Sequence, residues 1–266
     1  MALSIIITGA AGRMGKTLVD MVRAAEDLRL AAALEQGSCL DRLAGLKAEG
    51  VIVSSDIADV LPRCPKGSVI VDFTAAAATM QTAEAAAVNG NPMVIGTTGL
   101  SEAQLARLEE LACRIPILRS ANMSVGVNVI MDILPRLTAM LGDGYDVEMM
   151  EIHHNKKKDA PSGTALLLAD PLLKAKGLGK EAINTNRFDS LEPRRHDEIG
   201  IQSLRGGDVV GVHTVYFFGE GERIEITHHA HSRSNFAGGA LRAARWIARQ
   251  EPGHLRTMQD VLHDPA

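Results

Sequence analysis

The densest group of chemically capable side chains lies at positions 151–164, in the string EIHHNKKKDAPSGT. From His153 onward this string contains two histidines and three lysines but a single acidic residue, Asp159. The whole chain carries a formal net charge of -4, so this local cationic excess is typical of a site for an anionic substrate. A solvated basic loop is the alternative, and it is the interpretation we favour for Lys156 and Lys158.

The adjacent histidines His153 and His154 would point to opposite faces of a strand. One of them can then act as an acid toward the reacting atoms while the other holds the substrate. The residues PSGT at 161–164 predict a helix N-terminus whose hydroxyls and free amides suit a carboxylate. We predict no metal site, since the pair lacks the spacing of a helical zinc motif and no third ligand is evident nearby.

A glycine turn follows the first predicted strand, in the string GAAGRMG from Gly9 to Gly15. Glycines let the backbone approach a pyrophosphate, and the helix N-terminus that follows offers unpaired N–H groups. The spacing is GxxGxxG rather than the standard GxGxxG, so a plain strand–helix turn is the alternative. Arg13 is placed to reach a phosphate. Glu35, just past the second predicted strand, is placed to bind the hydroxyls of an adenosine ribose.

The pair Glu35-Gln36 bears on which dinucleotide would bind. A carboxylate at position 35 repels a 2′-phosphate, whereas Arg13 is able to accept one. We therefore predict that the chain uses NADH, with NADPH tolerated. Another glycine turn, Gly96-Thr97-Thr98-Gly99, follows a later strand and would lie at the carboxyl edge of the same sheet. Ligands bind at that edge in open α/β sheets, although an ordinary turn is the alternative.

These residues must be positioned by the elements around them, and the first 120 residues alternate short apolar runs with helical stretches. Such alternation predicts an α/β fold with a Rossmann-type parallel sheet that helices cover on both faces. The predicted strands are Leu3–Thr8, Leu28–Leu34, Val51–Val53, Val69–Phe73, Met93–Ile95 and Ile117–Leu118. The predicted helices are Met14–Ala25, Ala75–Val88 and Ser101–Cys113, the last opening with a Ser-x-x-Gln capping box.

The pattern changes after Asn122, where we predict an inserted α+β domain on a mainly antiparallel or mixed four-stranded sheet. Its strands are predicted over Asp146–His154, Ile199–Leu204, Val209–Phe218 and Arg223–His229, with a hairpin turn at Glu220-Gly221. A final helix over Phe236–Gln250 returns to the first domain. The predicted boundaries are 1–124 plus 234–266 for a dinucleotide-binding domain and 125–233 for a substrate-binding and oligomerisation domain.

Composition excludes several classes of protein. The acidic balance speaks against nucleic-acid binding, which needs a basic face. We predict no membrane partner, because no apolar run approaches the length of a spanning helix and no signal peptide is evident. Three cysteines without a CxxC pair suit a reducing compartment, so we expect a cytoplasmic protein.

The segment HHNKKKDAPSGTA resembles the 4-hydroxy-tetrahydrodipicolinate (dihydrodipicolinate) reductase family. The segments GAAGRMG, GTTG, SANMSVGVN, RGGDVVGVHTV and HHAHSRSNFAGGA are also similar to that family, in its order and over nearly the whole chain. The resemblance implies NAD(P)H-dependent reduction of a cyclic imine that carries two carboxylates, in diaminopimelate and lysine biosynthesis. It also implies a homotetramer built through the second domain.

The resemblance further implies roles for particular residues. His153 would donate a proton, and Lys157 would be a second donor. Substrate carboxylate would be bound by His154, Gly163 and Thr164. The cofactor would contact Gly9, Ala10, Ala11, Gly12, Arg13, Met14, Glu35, Gln36, Gly96, Thr97, Thr98, Ser120, Ala121, Asn122 and Met123.

Three residues depart from the family pattern. Gln36 stands where many members have arginine, and Met123 stands where an aromatic residue is common beside the cofactor. Pro171 predicts a kink or a restart in the helix after Thr164.

Two alternatives remain at this point. A dinucleotide-sensing regulator would not need the histidine–lysine segment. The other alternative is a different dehydrogenase that acts on an amino or semialdehyde substrate. The aspartate-semialdehyde type of mechanism needs a cysteine nucleophile, and none of Cys39, Cys64 and Cys113 suits that role.

Overall fold

The computed structural model describes residues 2–188 and 191–264. It divides into two compact units, which we name the first unit (Met1–Val125 with Arg233–Ala266) and the second unit (Gly126–Ser232). The predicted domain boundaries differ from this division by one residue at each of the two places where the chain passes from one unit to the other.

The first unit contains a six-stranded sheet whose strand pairs are all parallel. Its spatial order is β3-β2-β1-β4-β5-β6. The strands are β1 Leu3–Thr8, β2 Leu28–Leu34, β3 Ile52–Ser54, β4 Val69–Asp72, β5 Met93–Ile95 and β6 Ile117–Arg119. The predicted parallel Rossmann-type sheet is confirmed, and β1, β2 and β5 have the predicted bounds.

Both faces of this sheet are covered, which explains why its strands are apolar throughout. Ile5 and Ile7 lie in one hydrophobic cluster and Ile6 lies in another, on the opposite face. The helices are α1 Arg13–Ala24, α2 Ala44–Ala48, α3 Ile57–Val60, α4 Ala76–Asn89 and α5 Glu102–Ala112, and later α8 Ser234–Ile247 and α9 Met258–His263. 3-10 helices span Gly37–Leu43 and Leu61–Arg63. The capping box of Ser101 and Gln104 is formed as predicted.

The second unit contains a mixed five-stranded sheet in the order β11-β10-β7-β9-β8. The strands are β7 Asp146–His153, β8 Ile183–Asn184, β9 Ile199–Arg205, β10 Gly211–Gly219 and β11 Glu222–Ala230. Strand β10 is antiparallel to β7 and β11, and β9 is parallel to β7 and β8. The four predicted strands are present, with the hairpin turn between β10 and β11. The fifth strand, β8, has only two residues, too few to show an alternating pattern.

Two helices, α6 Val125–Leu141 and α7 Gly163–Ala175, pack on this sheet, and 3-10 turns span Gly142–Gly144 and Lys180–Ala182. The predicted restart at Pro171 is wrong, because α7 runs through that residue. Buried leucines on both sides of it, Leu168 and Leu172, hold the helix against the core despite the missing N–H.

By length and composition alone, one described helix at Val125–Gly144 meets the criterion for a membrane span. Its buried residues Val127, Ile130 and Leu134 belong to the core of the second unit.

Candidate active site

The glycine turn of the first unit connects β1 to α1, with Gly12 as the N-cap residue of the helix. Gly9 has a φ of 72°, and a Cβ atom there would lie 2.9 Å from the carbonyl oxygen of Phe73. A Cβ atom on Gly15 would lie 2.1 Å from the carbonyl oxygen of Gly9. Positions 9 and 15 therefore require glycine, and the helix N-terminus begins directly at the carboxyl end of the strand.

The carboxylate of Glu35 stabilises the same turn. Its Oε2 accepts a hydrogen bond from the backbone N–H of Ala11 at 2.9 Å, and its Oε1 accepts one from the N–H of Gln36 at 3.0 Å. Beside these residues lies a cavity of about 680 Å³, lined also by Gly9, Gly12 and the start of α4. Glu35 is the only charged side chain among its described lining residues.

A buried aspartate, Asp72, lies at the carboxyl end of β4. Four threonine hydroxyls donate to it: those of Thr8 at 2.6 Å and Thr74 at 2.8 Å to Oδ1, and those of Thr79 at 2.5 Å and Thr97 at 2.7 Å to Oδ2. These four hydrogen bonds match the acceptor capacity of one carboxyl group. Asp72 therefore joins the ends of three strands to the first turn of α4.

This network positions the second glycine turn. The Thr97 hydroxyl oxygen also accepts a hydrogen bond from the backbone N–H of Thr74 at 2.9 Å. A Cβ atom on Gly96 would lie 2.2 Å from the ring of Phe73, so the turn packs directly on that ring. Asp72, Phe73 and Thr74 were not among the residues predicted for the site. The available signal was a lone acidic residue that ends the apolar strand VIVD.

The segment after β6 is held by local hydrogen bonds. The Ser120 hydroxyl donates to the carbonyl of Asn122 at 2.7 Å, and Asn122 Oδ1 accepts from the N–H of Ser124 at 2.8 Å. Ala121 is exposed, whereas the Met123 side chain is 2% exposed and lies in the hydrophobic core. The core position of this side chain does not favour the predicted role of Met123 in lining a cofactor site.

The predicted cofactor residues thus lie at or after the carboxyl ends of parallel strands of the first unit. This group comprises Gly9, Ala10, Ala11, Gly12, Arg13, Met14, Glu35, Gln36, Gly96, Thr97, Thr98, Ser120, Ala121, Asn122 and Met123. Within it Arg13, Gln36 and Thr98 are exposed.

In the second unit, β7 buries Glu151 and His153 on one face. Glu151 accepts two hydrogen bonds from the guanidinium of Arg205, at 2.8 and 2.7 Å, and one from the backbone N–H of Ser162 at 3.1 Å. Its Oε2 also lies 2.6 Å from Nδ1 of His153. Burial raises the pKa of Glu151, but hydrogen bonds from Arg205, Ser203 and His153 outweigh it and lower the pKa to about 2.

The ring of His153 is surrounded by titratable and charged groups. Burial lowers its pKa, and the charges of Lys157 and Arg205 add to that effect, while Glu151 opposes it. The ring of His213 packs edge-on against it, with centroids 5.1 Å apart. Burial, with the neighbouring His153, lowers the pKa of His213 to about 4. Nε2 of His213 lies 3.0 Å from the hydroxyl of Ser162.

The other predicted residues of this unit lie in the loop after β7 and at the start of α7. The strand ends at His153, so His154 opens the loop, and its N–H donates to the carbonyl of Val209 at 2.8 Å. Lys157 Nζ lies 2.9 Å from Asp159 Oδ2. Lys156 and Lys158 are exposed, as expected for a solvated loop.

The predicted helix start at PSGT is confirmed. Ser162 is the N-cap residue of α7, and its hydroxyl oxygen accepts from the N–H of Ala165 at 3.1 Å. Gly163 is exposed, and a Cβ atom there would meet nothing within 4 Å. Thr164 follows in the first turn. The backbone at this helix N-terminus is therefore open to an anionic ligand.

A parallel-sheet unit with a glycine turn, together with a second unit that holds a buried acid–base cluster, defines a dinucleotide-dependent oxidoreductase. Among the described residues, no group of three or more His, Cys, Asp or Glu side chains is arranged to hold a metal ion.

Comparisons with known proteins identify the family. Residues 3–123 match the family model "Dihydrodipicolinate reductase, N-terminus", and residues 126–262 match "Dihydrodipicolinate reductase, C-terminus". The chain belongs to the dihydrodipicolinate reductase family. It is 51% identical to the 4-hydroxy-tetrahydrodipicolinate reductase of Oleidesulfovibrio alaskensis over 263 residues, which cover 98% of this chain and 100% of that protein. It is 45% identical to the reductase of that name from Lawsonia intracellularis, with coverage of 98% and 100%.

Solved structures agree on the fold. A dipicolinate-bound dihydrodipicolinate reductase from Paenisporosarcina sp. TG-14 aligns with a TM-score of 0.78 at 24% identity, covering 97% of this chain and 98% of that chain. A scyllo-inositol dehydrogenase from Lactobacillus casei with bound NAD(H) aligns with a TM-score of 0.60 at 16% identity, covering 98% and 93%. At these identities the likeness shows the fold alone.

Proposed function

We propose that this chain reduces 4-hydroxy-tetrahydrodipicolinate to tetrahydrodipicolinate with NAD(P)H, in diaminopimelate and lysine biosynthesis. The observation that carries the proposal is the packing of one segment of the second unit. There a buried His153–Glu151 pair, Lys157 and the open N-terminus of α7 occur together. A dinucleotide-sensing regulator would have no use for this cluster. Relatives that carry the reductase name match over the full length of the chain.

The first unit suits a dinucleotide. Its glycine turn leaves no room for Cβ atoms at Gly9 and Gly15, and α1 begins where a pyrophosphate would meet a helix N-terminus. Gly9 to Met14 would hold the pyrophosphate and Glu35 the ribose. The segments at Gly96–Thr98 and Ser120–Met123 would hold the nicotinamide end, with the Met123 side chain contributing from the core side and not by direct contact. When bound, the reduced nicotinamide supplies a hydride.

We propose NADH as the preferred cofactor. The described lining of the cavity beside Glu35 contains that carboxylate and no cation. A 2′-phosphate there would meet negative charge, and the neighbouring Gln36 cannot compensate it. Arg13, which is exposed at the start of α1, explains why NADPH would still be tolerated.

The second unit supplies the groups that act on the substrate. His154, Gly163 and Thr164 would bind its carboxylates at the helix N-terminus. Lys157 would stabilise the negative charge that develops on the ring, an effect worth roughly 3–4 kcal/mol for one well-placed donor. His153 would then deliver the proton. We also propose that the second unit forms the contacts of a homotetramer, and that the enzyme works in the cytoplasm.

The test is the loss of NADH absorbance with substrate made in situ from pyruvate and aspartate semialdehyde. We expect turnover with both cofactors and a higher kcat/KM with NADH, measured side by side on one preparation. No turnover with either cofactor would contradict the reductase activity. A higher kcat/KM with NADPH would overturn only the preference. Sedimentation velocity tests the tetramer, which a monomeric species at assay concentration would contradict.

A further inference from the structure

We propose that Glu151, held by Arg205, is a positioning residue that makes Nε2 the ring nitrogen through which His153 exchanges its proton. The proposal rests on the function of His153 proposed above. Glu151 is fully buried, yet all of its described partners donate to it or carry a transferable proton. These hydrogen bonds fix the orientation of the carboxylate, and the guanidinium of Arg205 balances its negative charge.

The hydrogen-bond directions determine the tautomer. Glu151 binds both arms of Arg205 and stays ionised, so it has no proton to offer to the ring. The hydrogen between Glu151 Oε2 and His153 Nδ1, 2.6 Å apart, must therefore belong to the ring. In the neutral ring this leaves Nε2 with a lone pair, and in the protonated ring it leaves Nε2 with the proton to donate.

The surroundings of Nε2 support the same assignment. A Cβ atom on Gly211 of β10 would lie only 3.1 Å from Nε2. Glycine at this position therefore leaves room beside the nitrogen. His213 does not compete for Glu151, because its own Nε2 is engaged by the Ser162 hydroxyl and its ring contacts His153 edge-on.

Arg205 extends the same arrangement to the loop after β7. It donates to the carbonyl of Asp159 at 2.6 Å, and Asp159 in turn pairs with Lys157. The N–H of Gly206 donates to the carbonyl of His153 at 2.9 Å. Glu151 also accepts from the N–H of Ser162, the cap of α7. The Glu151 carboxylate thus connects three parts of the proposed site, either directly or through Arg205. They are the proton donor His153, the loop that carries Lys157, and the N-terminus of α7.

The first test reads the tautomer without activity. Long-range ¹H–¹⁵N correlation spectra of the whole protein should show His153 as the Nδ1–H form above its pKa, with His153→Gln identifying the resonances. A predominant Nε2–H form would overturn the proposal. This result does not depend on the substrate, so a failure of the proposed reaction would remain distinguishable from a failure of the positioning role.

The second test uses Glu151→Gln, which keeps the shape but can either accept from Nδ1 or donate to it. We expect kcat to fall about 10- to 100-fold, the range that the carboxylate partners of metal-bound histidines produce elsewhere, with the Kd for NADH unchanged. Burial and the charges of Lys157 and Arg205 lower the pKa of His153, whereas Glu151 raises it. The adjoining ring of His213, whose own pKa is lowered to about 4, is neutral in this range. Loss of Glu151 should therefore move the alkaline limb of kcat/KM to lower pH.

Two further variants keep this test decisive. Arg205→Lys retains a cation but loses the paired hydrogen bonds to Glu151, and should lower kcat by less than Glu151→Gln. It should move the alkaline limb of kcat/KM to higher pH or leave it in place. Asp197→Asn, which breaks an exposed arginine–carboxylate pair in the same unit, should change neither quantity. If Glu151→Gln fails to fold, Arg205→Lys and the wild-type spectra carry the test. Unchanged kcat and pH profile in a folded Glu151→Gln would overturn the proposal.

Discussion

Two fully buried carboxyl groups, Asp72 in the first unit and Glu151 in the second, are satisfied in opposite ways. Asp72 accepts from four uncharged threonine hydroxyls at the ends of strands and the start of a helix. Glu151 accepts from a guanidinium, a backbone amide and a histidine ring. Hydroxyl donors do not titrate near neutral pH, whereas a histidine partner does.

The difference separates two tasks. A carboxyl group bound by hydroxyls fixes the backbone of neighbouring loops, which is what the two glycine turns of the proposed cofactor site need. A carboxylate bound by a guanidinium and an imidazole couples geometry to proton transfer, which is what an acid catalyst needs. The comparison therefore predicts that variants in the two units fail in different measurements.

The largest expected effect is on kcat, from changes in the second unit. His153→Gln and Lys157→Ala should each lower kcat by roughly 10²- to 10³-fold, within the range for a positioned acid, and should leave the Kd for NADH within about twofold of the wild type. Steady-state kinetics and NADH fluorescence titration measure the two quantities. Lys158→Ala, at an exposed position of the same loop, is the matched control. Equal losses of NADH affinity in both variants would contradict the role assignment.

The opposite pattern is expected in the first unit. Asp72→Asn places an amide donor among hydroxyl donors, and should weaken NADH binding roughly tenfold and lower the free energy of unfolding by about 1–3 kcal/mol. Thr97→Val should act in the same direction because it loses two hydrogen bonds, whereas Thr97→Ser keeps both. Urea unfolding and NADH titration check this. A normal NADH Kd in a destabilised Asp72→Asn protein would mean that the network supports the fold alone.

The pH dependence of folding stability should reveal His213, the buried histidine that packs against His153 in the second unit. The folded-state pKa of His213 is lowered to about 4 from 6.5, so the unfolded chain binds a proton across this window and the folded chain does not. Its contribution is complete above pH 6.5 and is lost as the pH falls through about 4. His213→Gln should remove up to about 3 kcal/mol of this pH dependence in urea unfolding.

A matched control is His196→Gln, at an exposed position of the same unit. It should leave the dependence unchanged. The contribution of Glu151 to stability is lost at lower pH, as the pH falls from its ordinary pKa of 4.5 to about 2. The contributions of His213 and Glu151 can therefore be separated by pH. A wild-type protein whose stability is flat between pH 6.5 and 4 would refute the assignment to His213.

The same comparison shows which parts of the fold and of the site could be predicted from the sequence. Strand β1 and the glycine turn were predictable because an apolar β-branched run and a positive-φ glycine are local features. The Thr97–Asp72 and Arg205–Glu151 contacts join residues 25 and 54 positions apart, so only the tertiary fold reveals them. His153 and Lys157 were named through a family resemblance. Glu151, the partner of His153, and Arg205, which binds Glu151, carried no local signal that separated them from ordinary surface charges.

The smallest expected effect concerns the space beside Nε2 of His153. In Gly211→Ala the new methyl group would lie 3.1 Å from that nitrogen, so the ring must move by a few tenths of an ångström. A displacement of this kind costs on the order of 0.5–1.5 kcal/mol, which corresponds to a loss in kcat of about two- to tenfold with NADH affinity unchanged. Gly144→Ala, in the 3-10 turn before β7, where a methyl group also meets nothing within 4 Å, is the control. If Gly211→Ala keeps full kcat, the proton passes through a less confined atom than Nε2. Asp72 would then still fix the backbone of the first unit, but Glu151 would not fix a proton donor in the second.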